Sequence, residues 1–146
     1  MADPFDLERF VQAQETVYSR VVAELREGRK RSHWMWFIFP QIAGLGFSAM
    51  SQRYAITSRE EAGAYLAHAL LGPRLIACTG LVLAVKNRSI NAILGAPDDV
   101  KFRSSMTLFA TVSDEPIFGE ALAKYFAGEH DPATLDVLAK LDRPAH

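Results

Sequence analysis

Five of the seven prolines in this 146-residue chain, Pro4, Pro73, Pro97, Pro116 and Pro132, stand just ahead of an apolar stretch with helical spacing. Proline has no backbone N–H to donate, so it is tolerated in the first turn of a helix, where that group would be unpaired anyway. The pattern predicts a chain built of helices. Asp3 and Asp131 precede two of these prolines and suit the N-cap position. A first helix is expected from about Pro4 to Glu27, because Leu7, Phe10, Val11, Val17, Tyr18, Val21, Val22 and Leu25 follow the three-and-four spacing and Gly28 closes it. Ser58 and Glu61 read as a capping box ahead of Ala62, Tyr65, Leu66 and Leu70.

From Pro73 onward, residues 75–85 are apolar nearly all round, as befits a central buried helix. Further helices are expected at 90–94, 97–111, 116–127 and 132–141, with 44–51 and the tail after Leu141 irregular. Only 36–39 and 81–83 are compatible with strands. The expected fold is all-α: one compact multi-helix domain around a central buried helix, with negligible β structure.

The length suits a single core, and 49% hydrophobic with 23% charged residues is ordinary globular composition. A formal net charge of −1 supplies no global field for nucleic acid or an anionic membrane, so any basic surface is local. No apolar run approaches the roughly 20 residues that span a bilayer, and the first residues lack the basic-then-apolar pattern of a secretory signal. Cys78 is the only cysteine, which rules out an intramolecular disulfide and fits a reducing cytoplasm. His33, His68, His130 and His146 show no metal-ligand spacing, so no metal is expected.

The most unusual stretch is GRKRSHWMWFIFPQ, residues 28–41, which sets Lys30 and His33 among further cations and beside Trp34 and Trp36. Cations next to flat aromatic faces suit a ligand that carries both a phosphate and a ring. The structural alternative is that the cations complement a helix C-terminus and the tryptophans are core. A second candidate is DDVKFRSSMT, residues 98–107, where Lys101, Ser104 and Ser105 place short donors near a cation. There the competing role is close helix packing, with Asp98 and Asp99 favouring a helix N-terminus. Arg74 falls in the first turn of the expected central helix, a placement that wants an anionic partner. His68 can move a proton near neutral pH or sit as a satisfied histidine at the core edge. GLGFSA, residues 44–49, has the spacing of a dinucleotide fingerprint but no crossover helix to follow it, so an irregular loop is the expected form.

Taken together, KRSHWMWFIFPQ, GLGFS, YAI, LGPRL and DDVKFRSSMTLF resemble the bacterial family labelled domain of unknown function 1810, over nearly the whole chain. The resemblance implies a compact, mainly helical fold. It also implies that Gln41, Ser48, Tyr54 and Thr107 belong with Lys30, Trp34, Trp36, Arg74, Lys101, Ser104 and Ser105 as signature positions, along with Ser32, Gly46, Gly72, His33 and His68. Ala69 departs from the pattern, where the family usually has proline. Some members carry the label calpastatin, which suits long disordered inhibitors and not a packed domain. A looser resemblance is to a superfamily proposed to process NAD-derived or ADP-ribose ligands.

The functional expectation is an enzyme or binding protein for a phosphate-bearing small molecule such as a nucleotide or an ADP-ribose-like compound. Lys30 and Arg74 would hold the anion, Trp34 or Trp36 would stack, and His33 or His68 would move a proton as the catalytic group. Gln41, Ser104 and Ser105 would orient the ligand, and no cofactor is identified. At least two of Lys30, Arg74 and Lys101 are expected to line one concave site. The alternative is an interaction module or homodimer that uses the aromatic segment 34–39; nucleic acid is the weakest candidate partner.

Overall fold

The computed structural model describes residues 3–143, and those residues form ten helices and no strand. Met1, Ala2 and His146, and most of the tail expected to be irregular, lie outside them. The expected first helix is two: α1 (Glu8–Glu15) and α2 (Tyr18–Glu27). The break falls at the β-branched pair Thr16 and Val17, which are weak helix formers. It lets α1 turn its buried Phe10 and Gln14 towards the next segment while α2 lays Val21 and Leu25 against a different helix. Gly28 ends α2 with φ +73, and its N–H returns to the carbonyls of Glu24 and Leu25.

Residues 36–39 are not a strand. Residues 36–38 belong to a single helical turn, α3 (Met35–Ile38), with Phe39 as its C-cap, and the turn is too short to carry a readable period. The chain then runs irregularly to Ser48, whose hydroxyl caps the short α4 (Ala49–Arg53) within the segment expected to be irregular. An isolated parallel bridge between Ile42 and Ile56 ties the two sides of this loop together.

α5 (Arg59–Ala67) opens as expected, with the Ser58 hydroxyl accepting from the Glu61 N–H at 3.0 Å. The Glu61 carboxylate turns back to Thr57, not Ser58, and takes an ion pair from Arg9 at 2.8 Å. Between α5 and α6 (Leu71–Ala84) the turn is tight enough that a Cβ on Gly72 would stand 2.0 Å from the Leu66 carbonyl oxygen. Only glycine fits there.

After α7 (Ile90–Leu94) come α8 (Asp98–Val112), α9 (Pro116–Phe126) and α10 (Pro132–Leu141), within a residue of their expected bounds. α6 packs on α2, α3, α5 and α9, and buries Leu75, Cys78 and Val82. α8 buries seven of its fifteen residues, about the same share as the six of fourteen in α6. Every residue from Ser104 to Phe109 is buried, because α8 is flanked by α5, α7, α9 and α10. Apolar content points to α6 and passes over α8, which buries Ser104, Ser105 and Thr107. Phe10, Phe39, Tyr65, Phe102, Phe109 and Phe118 fill the centre, several pairs meeting edge to face.

No single described helix is long and apolar enough to cross a membrane. α5 and α6 reach that length and composition only jointly, across an 86° bend.

Candidate functional site

The segment after Gly28 is shaped by Glu24, a buried carboxylate on α2. Its oxygens accept the Arg31 N–H at 2.7 Å, the Ser32 N–H at 3.1 Å, the Ser32 hydroxyl at 2.6 Å and the Trp34 indole N–H at 3.0 Å. Burial works against its charge, but these hydrogen bonds outweigh burial and hold the carboxyl down at about 2. Residues 31–34 thus wrap around a fixed negative charge. Trp34 becomes core, while Arg31 and His33 face outward and Trp36 is left half-buried. Phe37 and Phe39 go inward with Trp34, so of the aromatic segment 34–39 only Trp36 keeps an open face.

Lys30 turns the other way. Its backbone N–H donates to Ile93 at 2.7 Å, and its ammonium lies 2.9 Å from Asp98 and 5.0 Å from the centre of the Trp34 ring. Lys101, one turn further along α8, reaches only to 4.0 Å of the same carboxylate and sits 5.9 Å over the ring of Trp36. Two lysines distant in sequence therefore share one aspartate. The side chain of Lys30 is 8% exposed and that of Lys101 is 26%, so Lys30 is the anchored cation and Lys101 the available one.

Three adjoining hollows meet at Lys101. A basic hollow of about 360 Å3 is walled by Lys30, Arg31, His33, Trp36, Asp98 and Lys101, beside the start of α8. A helix N-terminus favours negative charge nearby, and here two acidic side chains, Asp98 and Asp99, already occupy the first turn. A smaller hollow of about 140 Å3 lies between Met35, Trp36, Gln41, Tyr54, Thr57 and Lys101, closed on one side by the Gly44–Gly46 loop. A third, of about 240 Å3, is bounded by Gln41, Leu45, Val100, Lys101, Ser104 and Asp131.

Of the residues named from sequence, Lys30, His33, Trp34, Trp36, Gln41, Tyr54, Lys101 and Ser104 line these joined hollows. The others have separate settings. Arg74 stands 4.4 Å over the Tyr18 ring and donates to the Gln14 side chain at 3.2 Å, so its partners are neutral. His68 uses Nδ1 to accept the N–H groups of Leu70 and Leu71, at 3.1 and 3.2 Å, and so caps the start of α6. Ser48 caps α4. Thr107 accepts the Asp131 N–H at 2.8 Å, and Ser104 donates to the Asp131 carboxylate at 2.7 Å, so both tie α8 to α10. Against burial, the hydrogen bonds of Thr134, Ser104 and nearby backbone keep the Asp131 carboxyl below its usual range. Ser105 is fully buried, and its hydroxyl is the one sealed side-chain polar atom without a partner among the described residues.

Sequence reasoning missed Ser51, Gln52 and Thr57 in the small hollow, Asp131 in the third and Glu24 beneath the whole segment. The parallel Ile42–Ile56 bridge sets Ala55 opposite Gln41 and Thr57 opposite Ala43, and no local pattern announces that pairing. Glu24 sits one turn before a helix-ending glycine, followed by a run of donors, which is the signal that could have found it.

The comparisons agree with this fold. A conserved hypothetical protein from Mycobacterium tuberculosis, Rv1873, known from a crystal structure, is 60% identical to this chain. The two superpose with a TM-score of 0.93, covering 94% of this chain and 99% of that one. No curated protein matches. The family model described as "Protein of unknown function (DUF1810)" matches residues 4–138. With a match of that extent, the chain belongs to the DUF1810 family of proteins of unknown function.

Proposed function

We propose that this protein binds a small molecule carrying a phosphate and a ring, a nucleotide or an ADP-ribose-like compound, in the joined hollows around Lys101. One observation carries the reading: Lys101 borders all three hollows, and its nearest carboxylate is 4.0 Å away and already engaged by Lys30. A cation in that position has donors to spare, because the one carboxylate that it shares with Lys30 balances only one of the two charges. The phosphate belongs in the basic hollow with Lys101, Lys30 and the Arg31 edge, and the ring lies against Trp36.

If the protein is an enzyme, His33 on the rim of that hollow is the group placed to exchange a proton with the ligand. His68, committed by Nδ1 to capping α6, is not. The proposed setting is the cytoplasm, where a lone buried cysteine needs no partner. Equilibrium titration of the wild type and Lys101→Ala against nucleoside mono- and diphosphates and ADP-ribose tests the reading. Saturable binding that weakens in the variant supports it; the absence of saturable binding to every compound overturns it. An interface built on segment 34–39 has less behind it, since only Trp36 of its aromatics keeps an open face.

A further inference from the structure

We infer that the small hollow reads the hydrogen-bonding edge of an uncharged nitrogen heterocycle of nucleobase type, with Gln41 and Tyr54 as the residues that discriminate. This rests on the phosphate reading above and assigns the other end of the ligand.

The volume is the first constraint. About 140 Å3 is close to that of an engineered cavity of roughly 150 Å3 that accepts benzene, so one planar ring fills it. The second constraint is charge. Lys101, shared with the basic hollow, is the only charged side chain on its walls, so an anion held by Lys101 in the basic hollow leaves the remaining, uncharged walls to a neutral group.

The walls then decide what kind of ring. Met35, Phe39 and Ile42, with Trp36, give apolar faces. Between them stand polar groups that the protein leaves open. The Gln41 side-chain amide makes no hydrogen bond among the described residues, although its backbone is fixed by accepting the Ile56 N–H at 2.9 Å. Tyr54 is only 7% exposed, and its ring packs against Phe10 and Phe37, yet its hydroxyl has no protein partner among the described residues. That hydroxyl is not sealed, because Ser105 holds the one sealed orphan among the described residues, and Tyr54 borders the hollow. The Trp36 indole N–H and the backbone N–H groups of Gly44 and Gly46 are likewise unpaired within the described residues. Trp34, two residues away, spends its indole N–H on Glu24.

An amide that both donates and accepts, held on rigid backbone beside a phenol, matches the mixed edge of a base. A plain phenyl ring would expel water from these groups and return nothing, and a sugar would forgo the aromatic faces.

The test uses four probes on the full chain: the set of nucleoside monophosphates, ribose 5-phosphate, phenyl phosphate and inorganic phosphate. At least one nucleoside monophosphate is expected to bind on the order of 10-fold or more tighter than phenyl phosphate or ribose 5-phosphate. Gln41→Ala and the conservative Tyr54→Phe should erase that preference while leaving inorganic phosphate and ribose 5-phosphate unchanged. Lys101→Ala should weaken every probe. If phenyl phosphate binds as tightly as the best nucleotide, or Gln41→Ala and Tyr54→Phe weaken all four probe types alike, base reading is wrong and the phosphate reading stands. If no probe binds the wild type, both fall together.

Discussion

Trp34 and Trp36 stand two residues apart and end in opposite situations. Trp34 is buried, and its indole N–H completes the set of donors around Glu24. Trp36 is half-buried between two hollows, its N–H unpaired among the described residues and a lysine over its face. The same contrast extends outward from each. Around Glu24 every oxygen is engaged by the protein's own donors, and the outcome is a rigid wrap of residues 31–34. Around Lys101 the donors outnumber their internal partners, and space is left beside them. Polar groups that satisfy one another hold a fold; polar groups held rigid and left open are what a ligand site requires.

Truncating the two tryptophans breaks or sharpens that comparison most forcefully. Trp34→Ala should cost about 4 kcal/mol of unfolding free energy, from lost burial, a cavity and one lost hydrogen bond to Glu24. Trp36→Ala should cost about 1 kcal/mol. Urea denaturation of both variants measures the difference, and equal losses would mean that Trp36 is core as well.

Glu24→Gln comes next, at about 3 kcal/mol near neutral pH, with a specific pH signature. The carboxyl is held at about 2 in the fold against an ordinary value of 4.5. Its contribution is therefore fully present above about pH 4.5 and is lost as pH falls through about 2. Each pKa unit corresponds to about 1.4 kcal/mol, so roughly 3 kcal/mol is at stake in that window. The gap in stability between wild type and Glu24→Gln should close as pH is lowered from 5 to 2. A gap that stays constant over this range would show that the carboxylate's charge is not what organises the segment.

The lysines give the smaller effects. Lys30→Ala removes the anchored partner of a mostly buried pair and should cost about 1–2 kcal/mol, softened by Lys101 beside the same aspartate. Lys101→Ala should change stability by no more than about 0.5 kcal/mol, because its link to Asp98 is long and partly solvated. Thermal melts of the pair rank them. A Lys101 variant as damaged as the Lys30 variant would make both lysines structural.

How much of this was legible in the sequence follows from where each signal is stored. Helices that open on a proline or a serine cap were readable, since cap and period lie within one segment; α5, α9 and α10 are cases, and Gly128 marks the end of α9. The break between α1 and α2 was not, because their apolar spacing runs on through Thr16 while packing against α3 and α6 demands two directions. α3 and α4 are too short to show a period at all. For the site, the gathering of Lys30, His33, Trp36 and Lys101 was foreseeable from residue chemistry: clustered cations and aromatics in one segment and a cation with short donors in another. The employment of Ser104 and Thr107 was not, since their partner Asp131 lies 24 to 27 residues away and the hydrogen bonds exist only once α10 is docked. Arg74 looked in need of an anion because charge was weighed alone; an aromatic face and an amide serve it instead.

The central claim is that the Lys101 region is built for a ligand and the Glu24 region for the fold, and one paired measurement tests it. Nucleoside diphosphate binding by equilibrium titration and the unfolding midpoint are determined together for wild type, Lys101→Ala and Glu24→Gln. Lys101→Ala should lose about 10-fold or more in affinity, the worth of one charge-assisted hydrogen bond, while keeping its midpoint. Glu24→Gln should lose its midpoint, and any affinity it retains when folded should stay near that of the wild type. A wild type that binds no diphosphate, or a Lys101→Ala that binds as well as the wild type, would contradict the account.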